Sequence, residues 1–135
     1  MYEIQITFTE VDQKGNDRTR KDNLILEHAE SFADAEQVGY DYGSGLTGID
    51  VVAVKRSKIK EIANERTSDD EKIFLATLVD VFLNDDGSEK LLKYTIAFFS
   101  KSMDSAHAYI KEYAAQGYNM CITKIVESSF TDVLK

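Results

Sequence analysis

The feature that most constrains this chain is an internal duplication with a period of roughly 70 residues, since two copies of one unit must follow one structural plan. In the first copy Tyr2, Ile4, Ile6 and Phe8 alternate with Glu3, Gln5, Thr7 and Thr9, the pattern of a half-buried strand. Asp12 to Asp17 supplies the polar residues and the glycine of a hairpin turn. A second strand then runs from Arg18 to Ala29. Ser31 reads as a helix N-cap, and Phe32, Ala35, Val38, Gly39 and Tyr42 form the apolar stripe of a short helix. Gly43 to Gly45 ends it, and the β-branched run Ile49 to Val54 is a third strand. Ile59, Ile62 and Ala63, at helical spacing, predict a closing helical turn.

From Ile73 the order returns, after a polar connector. Leu75, Thr77, Val79 and Val81 stand for Tyr2, Ile4, Ile6 and Phe8, and Gly87 stands for Gly15 in the turn. Ser102 repeats the cap, and Met103, Ala106, Tyr109, Ile110 and Tyr113 repeat the helical stripe. Gly117 matches Gly48, Tyr118 to Ile125 match the third strand, Lys124 matches Lys55, and Phe130, Val133 and Leu134 repeat the closing turn. The plan is an α+β fold: a tandem duplication of a strand-hairpin-strand-helix-strand unit, giving a mainly antiparallel sheet of about six strands with two helices on one face and a pseudo-twofold between halves. Two small sheets packed face to face are the alternative. We expect one domain, 1–135, built from repeat 1 (2–66), a connector (67–71) and repeat 2 (72–135). No proline interrupts any strand, so edge protection falls to charges such as Arg18, Arg20 and Lys21.

Composition narrows the class. An apolar fraction of 43% with 30% charged residues is that of a folded globular protein. A chain of this size buries roughly 68% of its unfolded surface, enough for a core without staples. The longest apolar run, Phe74 to Leu83, is broken by Asp80 and is about half of what a membrane helix requires, so no membrane role is expected. No secretory signal opens the sequence, which predicts a cytoplasmic protein. Cys121, the single cysteine, reads as a small core residue. The net charge of −8 opposes general adhesion to nucleic acid, so that role would need a local basic patch.

No pattern announces a reaction. Gly43-Ser44-Gly45-Leu46-Thr47-Gly48 spells the dinucleotide motif, but it follows a helix and opens a strand, the reverse of what a pyrophosphate site requires. Asn84 to Glu89 resembles part of a calcium loop, but Phe82 and Lys93 occupy the end positions where ligands are needed. His28 and His107 are not spaced as ligands, and the serines at Ser31, Ser102, Ser128 and Ser129 are explained as caps. No catalytic, cofactor-binding or metal-binding residue is assigned, no cofactor is expected, and the chain reads as a non-enzyme. The remaining candidate is a cluster of cations, Lys55, Arg56, Lys58 and Lys60 with Arg18, Arg20 and Lys21, able to contact phosphates if the strands bring them together, with Tyr40 or Tyr42 stacking on bases.

The run Val54 to Ile62, the closing run Ile125 to Leu134 and the helix start Ser31 to Glu36 resemble a family of short proteins, a domain of unknown function found in Bacteroidetes and their phages and mobile elements. The resemblance implies an intracellular bacterial or phage setting and carries over no catalytic or binding residue. The expected function is that of a non-enzymatic accessory or protein-interaction protein, phage or mobile-element associated, with a protein partner or self-association. The alternatives are single-stranded nucleic-acid binding through the basic cluster, and a small-molecule module with its pocket between helices and sheet.

Overall fold

The structure, a computed structural model, describes residues 1–117 and 120–135; Tyr118 and Asn119, placed by the sequence at the head of a strand, lie outside the described residues. In chain order the elements are β1 (Tyr2–Val11), β2 (Asp17–Leu26), α1 (Phe32–Tyr42), β3 (Thr47–Arg56), β4 (Ile59–Ile62), β5 (Lys72–Leu83), β6 (Glu89–Ser100), α2 (Met103–Ala115), β7 (Met120–Glu127) and β8 (Phe130–Leu134). The fold is α+β and mostly antiparallel, with the duplicated unit evident. Its strands form two four-stranded sheets, ordered β3-β1-β2-β8 and β4-β6-β5-β7, where one sheet of about six was expected. The difference comes from the two tails, which are strands and not helical turns. Four or five residues are too few to nucleate a helix, and each tail finds an open strand to pair with.

That pairing is reciprocal. β4, the tail of the first repeat, lies parallel to β6 of the second, and β8, the tail of the second repeat, lies parallel to β2 of the first. Two compact units result, one of Met1–Ser57 with Ser129–Lys135, the other of Lys58–Ser128. The hand-over points match. The Ser57 amide donates to the Met1 carbonyl at 2.9 Å, and the Ser128 amide donates to the Ile73 carbonyl at 3.0 Å.

Each unit repeats the local chemistry of the other. At the hairpin turns the amides of Gly15 and Gly87 donate to the carbonyls of Asp12 and Asn84, both at 3.0 Å, with φ of +80° and +84°, values that favour glycine. Ser31 Oγ accepts the Asp34 amide at 3.1 Å, and Ser102 Oγ accepts the Ser105 amide at 3.2 Å, each satisfying a donor of the first helical turn. β3 and β7 carry matching irregularities, with Val52 and Thr123 unpaired in the ladders to β1 and β5.

Against α1, the first core holds Tyr2, Ile4, Ile6 and Phe8 of β1 with Leu24 and Leu26 of β2 and Ala35 of the helix. Against α2, the second holds Phe74, Ala76 and Leu78 of β5 with Ile96 and Phe98 of β6 and Ala106 and Ile110 of the helix. Phe74, Ala76 and Leu78 therefore correspond to Tyr2, Ile4 and Ile6, one residue earlier than the alternation suggests. β5 is apolar on both faces, so period-two reading does not determine its phase. The ladder likewise moves Lys124 opposite Thr77, where its counterpart is Ala53, and sets Val126 and Glu127 in the places of Lys55 and Arg56.

Candidate interaction surface

The basic residues singled out by the sequence are dispersed. Antiparallel partners share a face, so Lys55 opposite Glu3 and Lys21 opposite Thr7 lie on the side of the first sheet away from α1. Arg56 opposite Tyr2, Arg20 opposite Phe8 and Arg18 opposite Glu10 lie on the α1 side. Most are engaged within their own unit: Lys55 Nζ is 3.7 Å from the Glu3 carboxylate, while Arg18 and Arg20 meet Asp12 and Glu10 at 3.2 Å. The Arg56 guanidinium stands 5.5 Å from the Tyr2 ring and 5.8 Å from that of Phe32. Lys58 and Lys60 belong to the second unit. Tyr40 directs its hydroxyl to Asp50 at 3.3 Å. Arg18, Arg20 and Lys21 stand on the half of β2 that β8 leaves uncovered. Cys121, expected in a core, is exposed on β7 opposite Val79, because only one face of this outer strand packs on α2.

In the second unit, Glu61 of β4 accepts a hydrogen bond from the Tyr113 hydroxyl of α2, and Tyr109 donates to the Ala63 carbonyl at 3.3 Å. Lys60 Nζ lies 4.2 Å from the Tyr94 ring. These contacts fasten the exchanged strand to the helix. Burial, and then the nearby carboxylates of Asp80 for Tyr94 and Glu61 for all three, raise the ionisation of Tyr94, Tyr109 and Tyr113 above the ordinary tyrosine value. A phenol that holds its proton more tightly when folded stabilises the fold fully below the unfolded tyrosine value and loses that contribution as pH rises past it. We expect stability to fall above about pH 10, with phenolate absorbance lagging behind that of the unfolded chain. A titration superimposable on that of the unfolded chain would remove the assignment.

The most anomalous surface is the end of the β5–β6 hairpin. Among the described residues, β7 pairs with β5 from Phe74 to Asp80, and β4 pairs with β6 from Thr95 to Ala97. Among the described residues, Val81 to Leu83 and Glu89 to Leu92 form the end of the hairpin, past the pairing of β7 and β4. There Leu83 is 75% exposed, Leu91 63%, Phe82 48% and Leu92 43%. The register sets Leu83 and Leu91 on one face and Phe82 and Leu92 on the other. Burying a side chain of this kind is worth about 1.5–3 kcal/mol, so their collective exposure is a large unused driving force. The first repeat is built otherwise: its tip carries Glu10, Arg18 and Arg20 in ion pairs, with Val11 the large apolar residue exposed there.

A family model described as Domain of unknown function (DUF4494) matches residues 1–135. The chain belongs to the DUF4494 family. Neither the curated proteins nor the solved structures provide a match. No helix among the described residues of the DUF4494 chain is long and apolar enough to cross a membrane.

Beside β7 the DUF4494 chain carries a groove of about 740 Å³, lined by His107, Ala108 and Lys111 of α2 and by Ile122, Thr123, Lys124 and Ile125 of β7. Ile122 and Ile125, opposite Leu78 and Ala76, are on the α2 side of the sheet, whereas Lys124, opposite Thr77, is on the other side. Neither Lys111 nor Lys124 has a carboxylate within 4.0 Å among the described residues. The corresponding groove of the first unit, about 410 Å³, has Glu36 where the second has His107. The tip escapes a sequence reading that asks only which residues alternate. Setting the hairpins side by side from their turns reveals it, since Glu10 and Arg20 correspond to Phe82 and Leu92.

Proposed function

We propose that this protein is a non-enzymatic accessory protein that works by binding another protein through the tip of the β5–β6 hairpin. The observation that carries the reading is the set of four large apolar side chains exposed on both faces of that tip, where the duplicate hairpin is polar and ion-paired. Large apolar side chains left this exposed gain stability by burial against a partner. The setting we propose, a bacterial cytoplasm with phage or mobile elements, rests on the resemblance of the Ser31–Glu36, Val54–Ile62 and Ile125–Leu134 runs. Nucleic-acid binding has less support, because the cations it needs lie on opposite faces of the first sheet and in the second unit, most of them engaged by carboxylates or rings.

The test is capture of partners from the native host with Leu83→Asp and Leu91→Asp variants. Both positions are exposed, so stability should change by only about 0.5 kcal/mol, while retention of the partner should be lost. Val11→Asp, at the polar tip, should retain it. Equal capture by all of these proteins, or no specific capture by any, would count against the reading.

A further inference from the structure

We infer that two copies of this chain pair edge to edge along β6, as antiparallel strands related by a twofold at Leu91. The contact goes beyond the partner-binding reading, because it uses the backbone edge of the hairpin and leaves Phe82 and Leu83 of β5 to that partner. A strand turns the N–H and C=O of alternate residues to each side. On the outer side of β6 the Ala97 carbonyl accepts the Ala63 amide at 2.8 Å. Two residues on, the Phe99 amide donates to the Asn64 side chain at 2.7 Å, and the Phe99 carbonyl accepts from it at 3.0 Å. The same alternation turns the backbone groups of Glu89, Leu91 and Lys93 outward, and β4, which begins opposite Thr95, does not reach them. Among the described residues these groups face no strand.

Open edges invite pairing, and the other edges of this fold are blunted. β3 and β7 carry irregularities at Val52 and Thr123, and β4 and β8 are short. The open half of β2 is polar throughout, from Asp17 to Asp22. β6 differs from all of these. Its ladder to β5 is unbroken from Ser100 to Glu89, and Leu91 and Leu92 stand where β2 has Thr19 and Arg20.

The charges select both the occupant and its register. A twofold that continues a sheet keeps each residue on its own face, so one residue must stand directly opposite its own copy. On β2 every centre sets like charges opposite each other. Asp17, Arg18, Arg20, Lys21 or Asp22 would meet itself, and a centre at Thr19 sets Arg18 against the partner's Arg20 twice. On β6 the centres Glu89, Lys90 and Lys93 fail in the same way. Centres at Leu92 or Tyr94 carry the second strand onto Thr95, where Ile59 already pairs. Leu91 remains, and there the sequence is self-complementary. Leu91, 63% exposed in the single chain, meets the partner's Leu91. Glu89 meets the partner's Lys93 on both sides, and Lys90 lies against the partner's Leu92, its aliphatic stem along the leucine. The two four-stranded sheets that hold β6 thereby become one continuous sheet, and the contact closes at two copies.

Sedimentation equilibrium of the full chain over a wide concentration range should show a reversible dimer, since a contact confined to Glu89–Lys93 is small. Glu89→Lys alone and Lys93→Glu alone should each weaken it about tenfold, because each makes both Glu–Lys pairs repulsive. The double charge swap should restore it, and that rescue excludes misfolding as the cause of the single losses. Leu91→Cys, with Cys121→Ser to remove the exposed native thiol, should give a disulfide-linked dimer under mild oxidation. Opposed residues in such a ladder have Cα atoms about 5.5 Å apart, within disulfide reach. Leu92→Cys in the same background faces the partner's Lys90 and should not crosslink. A wild type that stays monomeric throughout overturns the inference, as does a dimer that ignores both single reversals or crosslinks as readily at Leu92 as at Leu91. Leu83→Asp, on β5 and outside this contact, reports separately on the partner-binding reading.

Discussion

Cleaving the chain at a protease site placed between Asp69 and Asp70 should leave the two pieces bound to each other, while either piece prepared alone should fail to fold. The cause is the reciprocal exchange of tails. The first piece carries β4, whose partner is β6 in the second piece, and the second carries β8, whose partner is β2 in the first. A lone first piece would keep three strands of its sheet and lose the strand that covers Asn23 to Leu26, where Leu24, Ile25 and Leu26 are at most 1% exposed. It would also carry Ile59, 7% exposed in the whole chain, with nothing to pack on. A piece of roughly 65 residues is marginal even with a complete core, and the loss of several buried apolar side chains at about 1.5–3 kcal/mol each exceeds what such a domain has in reserve. Gel filtration and circular dichroism of the cleaved chain, of each piece and of their mixture provide the measurement. Cleaved pieces that separate and each retain the native spectrum would rule out a stabilising role for the exchange.

The second large effect concerns how each helix meets its sheet. Gly39 of α1 packs so closely that a Cβ there would lie 2.9 Å from Val51 Cγ2 and 3.0 Å from Ile4 Cγ2. In the second unit the helix position is Ile110 and the strand position is Ala76, both fully buried in one core cluster. Large strand residue with small helix residue in one copy has become small with large in the other. Gly39→Ile should therefore overpack the first core and cost about 1–3 kcal/mol despite the gain in helix propensity, and Ile4→Ala should cost about 2–5 kcal/mol by leaving a cavity. The double variant, which recreates the arrangement of the second unit, should lose less than the sum by at least about 1 kcal/mol. Denaturant unfolding of the four proteins measures the coupling, and strict additivity would show that the two side chains do not share the space.

The comparison of copies also shows which parts of the fold could be read in advance. Ser31 and Ser102, the two helices and the hairpin-turn glycines are local features whose spacing depends on chain geometry alone and are found where the sequence places them, while of the helical stripes the centres (Ala35 and Gly39, Ala106 and Ile110) are buried and the ends Phe32, Tyr42 and Met103 are exposed. The phase of β5 is different. Ile73, Phe74, Leu75, Ala76 and Leu78 are apolar on both faces, so only the helix packed on one side distinguishes Phe74, Ala76 and Leu78 from their neighbours. Counting back from Gly87 would have recovered that phase, because Leu83 opposite Glu89 stands where Val11 opposite Asp17 stands in the first hairpin. The candidate cations show the same limit. Lys55 and Arg56 are adjacent in sequence yet lie on opposite faces of a strand, and the ring stack of Arg56 with Tyr2 and Phe32 involves three separate elements.

The sequence by itself determined the duplication, the α+β class, the order of the three long strands and the helix in each repeat, and the helix caps and hairpin turns, because each follows from periodicities and short-range hydrogen bonds within a few residues. Only the tertiary structure decided that the tails exchange sheets, which face of β5 is inward, and that Phe82, Leu83, Leu91 and Leu92 are left exposed. Those outcomes depend on pairings between residues far apart in the chain, such as Leu24 with Asp132 and Ile62 with Ala97, and no local pattern encodes which of two equivalent edges a short strand will join.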